Sequence, residues 1–202
     1  MYLQALLVIF CLLICSYSQE TAKTNELPED DPKNFKKQNA TKLVKLRGRH
    51  WVKRRTYNVT TEWGEPTCEY AEIIKKVPGN KYTLQLGAKI GSTWTSANQT
   101  LLLKKTGRHP APNMLNFTRL RADGRQGHLL LYSNYRNCSI VRIMKKNSTV
   151  YVCDLLLRNR AAKNDPPKEC EEKFKTYCNG TAIEVYNSSC EAKGTEAMRS
   201  RA

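Results

Sequence analysis

Acids are scarce in this 202-residue chain: 18 Asp and Glu stand against 34 Lys and Arg, a formal net charge of +16. Histidine is rarer still. His50, His109 and His128 lie far apart in sequence, and no Cys-x-x-Cys pair occurs. Both absences argue against a metal site, whose ligands come at short, fixed spacings, and no cofactor is expected. Gly-x-Ser-x-Gly, His-Glu-x-x-His and a glycine-rich phosphate loop are missing, and no Cys or His has a catalytic neighbour, so an enzyme is not expected. Long apolar runs are missing too. The one unbroken stretch, residues 5–15, is eleven residues long, too short to cross a bilayer and of the right size for a signal-peptide core.

Ser16, Tyr17 and Ser18 put small residues at the two positions that signal peptidase reads, so residues 1–18 are expected to be a signal peptide cut after Ser18. The first 18 residues carry no Lys or Arg; an uncleaved anchor is the alternative. Six cysteines remain after cleavage, Cys68, Cys138, Cys153, Cys170, Cys178 and Cys190, which in a secreted chain read as three disulfides. Glycosylation sequons fall at Asn39, Asn58, Asn98, Asn116, Asn147, Asn179 and Asn187, and at Asn137 if that residue belongs to a turn. The expectation is a secreted, extracellular, monomeric glycoprotein with no membrane contact after cleavage.

Charge is unevenly spread. Residues 19–32 hold five acids, one lysine, Pro28 and Pro32, and read as a flexible acidic leader. Residues 33–61 hold ten Lys or Arg and no acid. That run is either a solvated basic face or an attractor for anionic glycans or an acidic protein; the secretory route argues against nucleic acid.

From residue 51 onward the pattern is that of strands. Residues 51–59, 67–76, 81–90, 93–105, 114–121, 128–135, 139–145 and 149–158 are the candidates, separated by turn signals such as Pro78-Gly79-Asn80 and Lys146-Asn147-Ser148. Tyr82, Leu84 and Leu86 alternate with Thr83 and Gln85. Eight strands so spaced argue for an antiparallel barrel or sandwich. Residues 34–44 are expected to form one short helix. A second helix is expected near the end, capped by Asp165, with Pro166 in its first turn, Gly180 as its stop, and Cys170, Phe174 and Cys178 on one face. Residues 33–190 then make one domain, and residues 191–202 a flexible tail.

The stretch LLYSNYRNCS, VCDLLL, PPKECEEKFKTYC and VYNSSC, with KRRTYNV (residues 53–59) earlier, resembles the tick salivary lipocalins of the histamine-binding family. The resemblance implies an eight-stranded antiparallel lipocalin (calycin) barrel, all-β with minor α, whose C-terminal helix is disulfide-docked on its wall. It implies the pairs Cys68–Cys190, Cys138–Cys170 and Cys153–Cys178. It also implies sequestration of a small host mediator, a biogenic amine or a lipid mediator, in the lumen. The alternative is a scaffold whose basic surface binds complement, coagulation factors or heparin-like glycans; a filled barrel would favour it.

If Cys153 faces outward to the helix, strand alternation turns Val152, Asp154 and Leu156 inward. Ser139, Val141 and Ile143 follow on the neighbouring strand, and an outward Asn116 sends Leu115, Phe117 and Arg119 in. A carboxylate in an apolar lumen needs a partner. For Asp154 that is a cationic or hydrogen-bonding ligand, an inward arginine such as Arg119, or a proton taken up. Where histamine binders carry Asp-Ala-Trp-Lys this chain has Asn39-Ala40-Thr41-Lys42, and where they carry Glu-Leu-Trp it has Asp154-Leu155-Leu156. The candidate ligand contacts are Asp154, Leu156, Asn39, Thr41, Tyr57 and Phe117, and histamine is expected to bind weakly.

Overall fold

The structure is a computed structural model that describes residues 27–120, 123–144 and 151–191. Nine strands form one sheet: β1 (His50–Arg55), β2 (Pro66–Val77), β3 (Lys81–Ile90), β4 (Thr93–Lys104), β5 (Met114–Thr118), β6 (Arg125–Ser133), β7 (Cys138–Met144), β8 (Tyr151–Arg158) and β9 (Ile183–Glu184). The order is β2-β3-β4-β5-β6-β7-β8-β1-β9, and β1 also pairs with β2, which closes the first eight strands into a barrel. All pairings are antiparallel. The expected strand set is present, and β3 has the expected bounds. The expected turn around Asn147 and the signal segment lie outside the described residues.

The helical reading of residues 34–44 needs correction. Residues 32–37 form a 3-10 helix, and the α-helix proper, α1 (Ala40–Leu43), is one turn long. The break falls at Gln38-Asn39 because both side chains are engaged elsewhere. Gln38 is buried; its Nε2 donates to the carbonyls of Pro28 at 2.8 Å and Leu131 at 3.0 Å, and its Oε1 meets His109 Nε2 at 2.9 Å. Asn39 is extended and caps α1, its side chain accepting from Lys42 N. Ala40 and Val44 then pack on Tyr82, Leu84, Leu101 and Leu103, plugging one end of the barrel.

The second helix, α2 (Lys168–Tyr177), starts later than expected. Its N-cap is Pro167, with no side-chain cap. Asp165 and Pro166 each precede a proline, which disfavours the helical conformation, so the helix forms only beyond Pro167. Cys170 and Phe174 are buried on one face and join Leu155, Leu157 and Trp51 in an apolar cluster on the outer wall. The disulfides are Cys68–Cys190, Cys138–Cys170 and Cys153–Cys178, the pairs implied by the family resemblance.

The last residues of the acidic leader pack on the barrel. Glu29 is buried and accepts twice from Arg142 Nη1, at 2.9 and 3.0 Å, while Arg142 Nη2 donates to the Tyr177 carbonyl at 2.6 Å. The segment from Leu27 is thereby clasped to β7 and α2.

Candidate functional site

The barrel encloses a cavity of about 380 Å³, inside the range of roughly 300–1,000 Å³ that holds drug-sized ligands. Most of its wall is apolar. Leu84 and Leu86 come from β3, Phe117 from β5, Val141 from β7 and Leu156 from β8, with Leu43 and Val44 beneath. Trp63, on the β1–β2 connection at the open end, borders the cavity and is 74% exposed.

Four charged side chains are bonded in series near that open end. Arg55 Nη1 donates to Glu69 Oε1 at 2.5 Å. Arg119 donates through Nη2 to Glu69 Oε2 and through Nη1 to Asp154 Oδ2, the latter at 3.0 Å. None of the four side chains is more than 12% exposed. Two guanidiniums therefore face two carboxylates, and the set is balanced when both acids are ionised. Of the partners weighed for Asp154, the structure supplies the inward arginine on Oδ2.

Strand irregularities deliver two members of this set. Strict alternation from Val52, which lines the cavity, would send Arg54 inward. A register shift between Val52 and Arg54 inverts the phase, so that Arg54 pairs across from Leu155 and Arg55 from the inward Asp154. Arg54 then meets Glu171 and Glu184 on the outer side. On β2 a register shift spans Thr67 to Tyr70, and Cys68 has φ 51°. Cys68 thus reaches Cys190 while Glu69, next along the chain, lines the cavity.

Burial pushes Glu69 from its ordinary 4.5 up to about 7, with the Arg55 charge opposing and the Asp154 charge adding. Burial also raises Asp154, against the pull of Arg119 and Arg55. His128, on the cavity wall, is lowered to about 3 by burial and by the charge of Arg119. It is neutral, with Nδ1 placed to donate to the Leu115 carbonyl at 3.3 Å and its ring stacked on Phe117 at a centroid separation of 3.9 Å. His50, also on the wall, is lowered to about 4 by burial and by Arg158. Among the described residues no cluster of His, Cys, Asp and Glu could hold a metal ion.

Asp154, Leu156 and Phe117 line the cavity as expected from alternation. Tyr57 does not; its ring lies 5.8 Å from the Arg55 guanidinium and 5.2 Å from that of Arg119. Asn39 and Thr41 do not reach the cavity either, because the inward face of α1 is made by Leu43 and, just beyond it, Val44. Glu69, Arg55 and the two histidines were not anticipated. Of the basic run, Lys53 is buried with Nζ donating to the Ala162 carbonyl, and Arg49 pairs with Glu72. With Arg54 and Arg55 also engaged, the second half of the run is not part of a continuous basic surface.

Asn58, Asn98, Asn137, Asn179 and Asn187 are exposed, Asn137 within a bend, and Asn39 is half-buried. Asn147 lies outside the described residues. Asn116 is on the outer face of β5 and is 9% exposed.

No curated protein matches the chain by sequence. Among solved structures, the chain is similar to AM182 in a serotonin complex, at 16% identity and a TM-score of 0.57, covering 75% of this chain and 91% of that one. It is similar to Japanin from Rhipicephalus appendiculatus bound to cholesterol, at 12% identity and a TM-score of 0.51, covering 72% and 96%. Apocrustacyanin C2 matches at 16% identity and a TM-score of 0.57, covering 84% and 92%. At these identities the likeness is one of fold, an eight-stranded lipocalin barrel. The family model described as tick histamine binding protein matches residues 28–192. A clasped leader, a closed barrel and a helix stapled to its wall all fall within that span, and the chain belongs to the tick histamine-binding protein family.

Proposed function

We propose that this lipocalin is secreted and sequesters a small, predominantly apolar host mediator in its lumen, and that a simple amine is not its preferred cargo. One observation carries the reading: both lumenal carboxylates, Glu69 and Asp154, are already bonded to arginines. An ammonium in a dry cavity needs an uncommitted acid. Here Asp154 Oδ1 is the oxygen left without a partner, and an ammonium that reached it would sit beside the Arg119 guanidinium as a like charge. The rest of the wall offers apolar area, which rewards a neutral, lipid-like molecule.

A filled barrel would favour a scaffold role, whereas this one encloses a cavity of about 380 Å³. The bound ligands of two structural neighbours, serotonin in AM182 and cholesterol in Japanin, bracket the choice between amine and apolar cargo. The three disulfides fit an extracellular setting. Native mass spectrometry of protein secreted by eukaryotic cells, before and after organic extraction, tests the reading. A co-purifying neutral molecule of lipid character is expected. Protein that emerges empty and then takes up histamine in preference to cholesterol would overturn it.

A further inference from the structure

We propose that the plugged end of the barrel, opposite the cargo mouth, is a docking surface for a sulfated polysaccharide. Three groups of exposed cations meet there from separate parts of the chain. Lys42, Lys45 and Arg47 lie on α1 and the turn after it. Lys75, Lys76 and Lys81 flank the β2–β3 turn, Lys104 ends β4, and Lys105 and Arg108 follow it.

The fold brings these groups together. Lys81 pairs beside Leu102, and Leu103 N donates to the Asn80 carbonyl at 2.9 Å, which sets the β2–β3 turn against the end of β4. Ala40 N donates to the Pro112 carbonyl at 2.8 Å, and Ala40 packs on Tyr82 and Leu103, which seats α1 between the same two segments. Residues 40–49, 75–81 and 104–113 contain no Asp or Glu. None of the nine cations forms an ion pair among the described residues. Asp30 is an acid near this rim, its Oδ1 lying 3.9 Å from where a Cβ on Gly107 would stand.

Like charges gathered on one rim repel and do nothing for the fold, whereas a polyanion laid across them gains from all of them at once. The exposed large apolar side chains among the described residues are Leu27, Trp63 and Ile74, and Trp63 is at the other end. Ile74, beside Lys75, is the exposed large apolar side chain on the rim, and one such residue makes neither the apolar centre of a protein interface nor the apolar face of a membrane anchor. A flexible, densely sulfated chain needs neither. Docking at this end would hold the protein on tissue glycans with its mouth free, a role independent of the cargo.

Surface plasmon resonance on the full glycosylated protein tests this with two variants that each lose three cations. One is Lys75→Ser/Lys81→Ser/Lys104→Ser on the rim; the other is Lys89→Ser/Arg125→Ser/Lys175→Ser away from it. Thermal melts establish that both are folded. Near physiological ionic strength, heparin is expected to bind about tenfold or more tighter than either unsulfated hyaluronan or phosphatidylserine vesicles. The rim variant should lose about tenfold in heparin affinity and the remote variant about twofold or less. Equal losses would reduce the effect to net charge, and preference for vesicles or hyaluronan would assign the rim another partner; either result overturns the proposal.

Discussion

Arg119 Nη1 donates to Asp154 Oδ2 at 3.0 Å inside the barrel, so the acid that a ligand amine would seek already has its cation. Arg119→Met would free that carboxylate and half of Glu69. Breaking a buried pair by removing one partner costs about 3–5 kcal/mol, so the variant should unfold at lower denaturant. If it remains folded, its histamine affinity should rise about tenfold, the value of roughly one charge-assisted hydrogen bond. The double variant Arg119→Met/Asp154→Leu should recover part of the stability and lose the gained affinity, read by chemical unfolding and calorimetry.

The lumenal acid and the wall histidines pull the pH dependence in opposite directions. Glu69 titrates higher folded than unfolded, from 4.5 to about 7, so its stabilising share is complete below 4.5 and is lost as pH rises through 7. His50 and His128 titrate lower when folded, about 4 and about 3 against 6.5. Their share is complete above 6.5 and lost as pH falls through those values. Between pH 4.5 and 6.5 two histidines act against Glu69 and against Asp154, which burial also raises, so stability should rise only shallowly with pH. Glu69→Gln removes one opposing acid, so its unfolding free energy should rise more steeply with pH across this window. Denaturant unfolding at three pH values checks the slope.

Which parts of the site were legible follows from how regular the strands are. Alternation is unbroken along β8, so the inward Asp154 and Leu156 could be read from the outward Cys153. Phe117 and Arg119 followed from the same reasoning on β5. Glu69 could not be read, because Cys68 at φ 51° breaks the period before it. Arg55 was hidden by the register shift after Val52, and KRR looked like surface charge. The cavity floor was misassigned because the helix of residues 34–44 is interrupted where Gln38 turns inward. For Arg119 the phase of β5 was one hint, and the rule that an apolar lumen could not keep Asp154 alone was another.

Glu29 and Arg142 make a clasp that a flexible leader would not have. Their side chains are 5% and 6% exposed. Removing residues 19–31 should leave Arg142 buried without its counter-charge and cost about 3–5 kcal/mol, whereas ending the deletion at residue 26 should cost little. Chemical unfolding of the two truncations distinguishes them.

Glycopeptide mapping should find Asn58, Asn98, Asn179 and Asn187 open to occupancy and Asn116 unmodified. A glycan on Asn116 would have to displace the packing that leaves that side chain 9% exposed, so substantial occupancy in folded protein would mean that the outer face of β5 is open.

Cargo chemistry is tested most directly by titrating the extracted protein with histamine, serotonin and cholesterol in one buffer at pH 7. With Glu69 and Asp154 held by arginines and a cavity of about 380 Å³ lined mostly by apolar side chains, the neutral lipid should bind at sub-micromolar concentration. Histamine, with about eight non-hydrogen atoms, would need nearly −1.5 kcal/mol from each of them to reach nanomolar affinity, and should bind at micromolar concentration or weaker. Nanomolar histamine binding, with cholesterol excluded, would contradict the account.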